Sequence, residues 1–113
     1  MDKIDHIAVL VDDLHEAEAW YSEHMQAEVS FRDEKYIRLS VKNTNIALID
    51  KKFYPHAHMA ILVENIDDLP TEKGEVVKHR DGTIGVYVKD PFGNYLEYIW
   101  YSDSQKEVFL KND

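Results

Sequence analysis

Two histidines and one glutamate are the residues of this chain whose types and spacing point to chemistry. His6 stands in DHIAVLVDDL and His58 in AHMAILVENIDDL, stretches that repeat one another at an offset of 52 with the histidine in the same place. Glu97 sits in YLEYIW, an otherwise apolar run. A carboxylate there is costly to bury unless it is paired or binds a cation. Two imidazoles and one carboxylate compose a facial triad, which holds a divalent ion and leaves positions open for a substrate. One strand histidine by itself is more often a hydrogen-bonded core residue than a ligand. The repetition is what gives this pair its weight. The ordinary alternative for Glu97 is a rim carboxylate paired with Lys89. His15, His24 and His79 are assigned to the surface; so is His56, with a place beside the ligands as its alternative.

The elements that must position these residues follow from periodicity. Residues 4–11, almost wholly apolar apart from Asp5 and His6, form a buried strand. Asp13-Leu14-His15-Glu16 resembles a capping box, and the helix after it carries Leu14, Ala17, Tyr21 and Met25 as one apolar stripe, with Trp20 beside it. Three strands come next, at 28–32, 36–41 and 45–49. The second half repeats the order: a strand at 58–63, about one helical turn at 66–69 cut short by Pro70 and Gly74, and strands at 75–79, 83–89 and 94–100. Asp90-Pro91-Phe92-Gly93-Asn94 is a strong turn signal between the last two.

The chain therefore reads as an α+β fold, a duplicated βαβββ module within one domain of residues 1–113. Module one covers 1–50, module two 57–101, and a polar tail 102–113, in which Val108, Phe109 and Leu110 are candidates to dock a short helix. Alternate residues of a strand share a face, so His6 lies with Ala8 and Leu10, and His58 with Ala60 and Leu62. Aligning Asn45-Ile46-Ala47-Leu48-Ile49 with Asn94-Tyr95-Leu96-Glu97-Tyr98, at an offset of 49, pairs Leu48 with Glu97.

Composition narrows the function classes. With 22 acidic and 13 basic residues the formal charge is −9, which repels nucleic-acid phosphates and anionic lipid surfaces. No window approaches the roughly 18 consecutive apolar residues of a membrane span. The start of the chain is strand-like, without a basic region leading an apolar leader, and cysteine is absent. A cytoplasmic location and nitrogen and oxygen metal ligands are expected.

IDHIAVLVDDLHEAEAWY, HMAILVENIDDL and VYVKDPFGNYLEYIW together resemble the vicinal oxygen chelate superfamily over nearly the whole chain. That superfamily includes glyoxalase I, fosfomycin-resistance and bleomycin-resistance proteins, methylmalonyl-CoA epimerase and extradiol dioxygenases. DPFGNYLE is the most specific piece. The resemblance implies two modules whose sheets form an open eight-stranded cavity around a divalent metal, commonly in a homodimer, with His6, His58 and Glu97 as ligands. Glyoxalase I and the epimerase use a fourth ligand from the closing strand of module one; here that place is read as Leu48, which cannot ligate. The family's glycine after the first helix is replaced around Gln26, at about 1 kcal/mol if that residue must be left-handed. Tyr87 matches a tyrosine that fosfomycin-resistance enzymes place near the substrate.

The expectation is thus a small enzyme dependent on one divalent metal per chain (Fe, Mn, Zn or Ni). It would act on a small oxygen-chelating substrate, by epoxide addition, isomerisation, lyase chemistry, thiol transfer or dioxygenation. Tyr87 is the candidate for hydrogen bonding or proton transfer to that substrate. The expected assembly is a homodimer with Trp100 or other aromatics near its interface. The alternative is a metal-free binding protein of the bleomycin-resistance type, sequestering a cationic molecule with aromatics such as Tyr95 and Tyr101.

Overall fold

The computed structural model of the chain describes residues 1–103, so the expectation for Val108, Phe109 and Leu110 lies outside the described residues. The elements are β1 (Ile4–Val11), α1 (Leu14–His24), β2 (Glu28–Arg32), β3 (Tyr36–Ser40), β4 (Asn45–Asp50), β5 (His58–Val63), a 3-10 turn at Ile66–Asp68, β6 (Glu75–Lys78), β7 (Ile84–Lys89) and β8 (Tyr95–Trp100). Two compact units result. One is His6–Ala57; the other joins Met1–Asp5 to the described residues from His58 onward. No helix of the described residues is long and apolar enough to cross a membrane.

In the unit His6–Ala57 the strands lie in the order β2-β3-β4-β1, with β1 parallel to β4 and the other pairs antiparallel. α1 starts where Asp13, in the extended region, accepts the Glu16 amide at 3.0 Å, as the capping sequence predicts. Its stripe of Leu14, Ala17 and Tyr21 then packs with Val9 and Val11 onto buried Ile37, Leu39 and Leu48. Burying a side chain the size of leucine stabilises by about 1.5–3 kcal/mol, so this packing holds the short helix in place. The opposite face carries Ala8, Ala47 and Ile49, with Tyr36 and Tyr54 against them. After α1 the chain leaves through Met25 in extended conformation, and no described residue other than glycine has a positive φ. The cost expected near Gln26 is therefore not incurred.

The second unit repeats that order as β5-β8-β7-β6, with β5 parallel to β8. In place of a helix, Asn65 caps the 3-10 turn by accepting the Asp67 amide at 2.9 Å. Pro70 stops the turn: its ring forces the preceding Leu69 out of helical geometry, to ψ 127°. The core here is Ala60, Ile99 and Tyr101, with Leu62 beside them. Tyr101 is 2% exposed and its hydroxyl donates to Asp5 Oδ2 at 2.7 Å. It ties the start of the chain to the end of β8, and so is a core residue rather than the ligand-facing aromatic expected for a binding protein.

Asp90 shapes the turn from β7 to β8. Its Oδ1 accepts the amides of Phe92 at 2.7 Å and Asn94 at 2.9 Å, and Gly93 takes the positive φ, 91°, that the turn needs. These bonds, the Asn94 amide foremost, hold the Asp90 carboxyl below its ordinary 3.8. The turn also sets the ladder so that Tyr87 lies opposite Glu97.

Ladder register corrects one equivalence. In the first unit Ala8 pairs with Ala47, and in the second Ala60 pairs with Glu97. Since Ala60 is the repeat of Ala8, the counterpart of Glu97 is Ala47, at an offset of 50, and not Leu48. The asparagines are not equivalent: Asn45 opens β4, whereas Asn94 belongs to the turn and β8 opens at Tyr95. A one-residue slip moves a side chain to the other face of a sheet. Leu48 accordingly packs under α1, so it neither occupies nor vacates a ligand place.

Candidate metal centre

Glu97 is the residue that demands explanation. It is 1% exposed, in the middle of β8, and its neighbours across the ladders are Ala60 and Tyr87. A buried carboxylate must have its charge met locally, and here imidazoles meet it. His58, at the first position of β5, brings Nε2 to 3.3 Å from Glu97 Oε1, with only 6% of its side chain exposed. His79, just after β6, brings Nε2 to 2.6 Å from Glu97 Oε2. The partners of Glu97 are thus histidines, and Lys89, across from Tyr95 and exposed, is not the ion-pair partner considered for it.

Tyr87 completes this group. Its ring stands edge-on to His58, with centroids 5.1 Å apart and planes at 79°, and edge-on to His79 at 6.1 Å and 87°. His6, in the first unit, is 7% exposed on β1, two residues before buried Ala8. Of the other histidines, His15 and His24 are exposed, His24 stacking on Trp20 at 3.9 Å, while half-buried His56 turns Nδ1 towards the Ala57 carbonyl at 3.3 Å.

His79 is the residue that reading the sequence misses. Its side chain is 24% exposed, but its imidazole belongs to the buried carboxylate. A signal was present in Gly85, in the middle of TIGVYVK, because glycine inside a strand marks a close approach. A Cβ at Gly85 would collide with Glu97 Oε2 and come within 2.8 Å of His79 Nε2.

The donor geometry of the second unit fits a divalent ion. Two ligands about 2.0–2.1 Å from one metal, at octahedral to tetrahedral angles, stand roughly 2.8–3.4 Å apart. The His58 Nε2 to Glu97 Oε1 distance of 3.3 Å falls in that interval, and it is long for a charge-assisted hydrogen bond, about 2.7–2.9 Å. Imidazole nitrogen and carboxylate oxygen are accepted by zinc, iron, manganese and nickel alike.

Among solved structures, the chain is similar to methylmalonyl-CoA epimerase from Mycobacterium tuberculosis. The two are 17% identical with a TM-score of 0.71, over 93% of this chain and 91% of that one. A hypothetical protein, BH1468 from Bacillus halodurans C-125, is 16% identical with a TM-score of 0.70, over 90% and 96% of the two chains. An extradiol ring-cleaving dioxygenase from B. fuscum is 21% identical with a TM-score of 0.63; 88% of this chain aligns with 32% of that larger one. At these identities the likeness is one of fold. Comparison with curated proteins gives no match. The matching family model spans residues 3–98, and with the module order and ladder registers above it leads to one conclusion: the chain belongs to the glyoxalase/bleomycin resistance protein/dioxygenase superfamily.

Proposed function

We propose that this protein is a divalent-metal-dependent enzyme acting on a small oxygen-chelating substrate, with His6, His58 and Glu97 as the ligands and Tyr87 facing the substrate. The observation that carries the reading is Glu97, buried in an apolar strand with His58 Nε2 at 3.3 Å from one of its oxygens. The three residues offer two imidazole nitrogens and one carboxylate oxygen as ligand atoms. His6 enters as the repeat counterpart of His58, and its burial supports that role. Solved structures of this fold include proteins named as an epimerase and as a ring-cleaving dioxygenase, which agrees with an enzymatic role.

The chemistry that such an ion supplies when bound is Lewis acidity towards a substrate held through two oxygens. Glu97 contributes a single negative charge, so a net charge of about +1 remains to favour an anionic or enolising substrate. Burial keeps water from Glu97 and His58, which strengthens the electrostatics of the site. Tyr87, edge-on to His58, is the side chain placed to donate a hydrogen bond or move a proton at its phenolic oxygen. Epoxide addition, isomerisation, lyase chemistry, thiol transfer and dioxygenation all share these requirements. The same reading takes the protein as a cytoplasmic homodimer with a small-molecule partner.

Elemental analysis of protein purified without an affinity tag tests the reading. About one divalent metal per chain is expected in wild type, and far less in Glu97→Gln. Metal-free protein that still shows no binding of added Mn(II), Fe(II), Ni(II) or Zn(II) would overturn it in favour of metal-free small-molecule binding.

A further inference from the structure

We infer that His79 is a positioning residue for the metal centre: it holds the far oxygen of Glu97 so that the near oxygen alone serves as ligand. The inference rests on the metal-dependent reading above and adds a residue to it. A carboxylate can bind an ion through one oxygen or both, and an unrestrained glutamate can rotate between these modes. In this chain the two oxygens are in different situations. Oε2 lies 2.6 Å from His79 Nε2, shorter than a typical neutral hydrogen bond, while Oε1 lies 3.3 Å from His58 Nε2, the separation of two neighbouring ligands. An ionised carboxylate only accepts, so His79 donates from Nε2.

Two features hold the arrangement in place. Gly85 has no side chain, and that space is what Glu97 Oε2 and His79 Nε2 occupy. His79 itself is anchored through the backbone of the β6–β7 connection: its amide donates to the Thr83 carbonyl at 2.9 Å, and its carbonyl accepts the Gly82 amide at 3.0 Å. Asp81 stiffens the same loop by accepting from both the amide and the hydroxyl of Thr83, at 2.9 and 2.7 Å. The imidazole therefore comes from a fixed backbone onto a carboxylate oxygen for which room has been left. Groups of this kind tune a metal through its ligand rather than by touching it, and their removal typically weakens metal binding by 10- to 100-fold.

The test measures Mn(II) and Zn(II) affinity, by competition with a chelator, for untagged wild type, His79→Ala, His79→Gln and Glu97→Gln, together with the melting temperature of each without metal. Glutamine carries an amide N–H near the place of imidazole Nε2. Expected are a 10- to 100-fold loss of affinity in His79→Ala, recovery of most of it in His79→Gln, and binding in Glu97→Gln weaker than in either. Equal affinity in wild type and His79→Ala, with only the metal-free melting temperature lowered, would make His79 structural and overturn the inference while the metal reading stands. Wild type that binds neither metal, or binds as well as Glu97→Gln, would overturn both.

Discussion

The two units run the same ladder to different ends. In the first, the residue beside Ala8 is Ala47, and across from it on β3 stands Arg38, 5% exposed. In the second, the residue beside Ala60 is Glu97, and across from it on β7 stands Tyr87. The first unit places a helix on its sheet, whereas the second replaces it with one 3-10 turn. So identical strand order and pairing carry packing in one unit and a polar cluster of Glu97, His58 and His79 in the other. Backbone ladders are indifferent to side chains as long as each face finds a partner, which lets one half of a repeat change its chemistry without changing its fold.

The largest effect that would break this comparison comes from moving the carboxylate. Leu48→Glu buries a charge among Ile37, Leu39 and the underside of α1, and is expected to cost at least about 3–5 kcal/mol and leave the chain largely unfolded. Ala47→Glu points to the other face, across from Arg38, and is expected to keep a cooperative urea transition by circular dichroism. If Ala47→Glu unfolds and Leu48→Glu does not, the register equivalence is wrong.

Next in size is the response to metal. A ligand present at 100 times its Kd stabilises the folded state by about 2.7 kcal/mol. Glu97→Gln preserves the volume of the side chain and is expected to remain folded while losing most of the rise in melting temperature that Mn(II) or Zn(II) gives wild type. An equal rise in both proteins would remove Glu97 from the ligand set.

Smaller effects sharpen the contrast between helix and turn. Asp13→Ala removes the cap of an eleven-residue helix and should cost about 1 kcal/mol in chemical denaturation. Asn65→Ala caps only three residues, and a loss of no more than a few tenths of that is expected. The smallest effect is at Asp90. Its folded carboxyl titrates below the ordinary value, so its contribution is present above pH 3.8 and fades as pH falls through the depressed folded value. The difference in melting temperature between wild type and Asp90→Ala should accordingly narrow from neutral pH to below pH 3. A difference that stays constant would show that the ionised carboxylate is not what holds the turn.

Much of this was legible in the residues. β1, β2 and β5 begin and end where the apolar patterns do, and β3, β4, β6, β7 and β8 depart from expectation by a single residue at one end. Asp13, Pro70 and Gly93 act through their own backbones and nearest amides, which is why their roles can be read locally. Glu97 is buried with His58 close to it, and the need of an acid in an apolar strand for a partner is a local signal. His79 was not legible from its own neighbours: it stands just after β6, with Arg80 and Asp81 following, and Gly85 marks a close approach without naming the imidazole that turns onto a residue 18 positions away. Tyr101 likewise reads as a free aromatic until Asp5, 96 residues earlier, is seen to accept from its hydroxyl.

Sequence by itself determined the order of elements and the repeat, because periodicity, caps and turns are properties of a few neighbouring residues. Tertiary structure decided which side chains meet: Ala47 rather than Leu48 as the counterpart of Glu97, and His79 as its partner. Both depend on ladder register, which is set jointly by turn lengths and by the packing of each face, and a shift of one residue in it reverses every side chain on the strand.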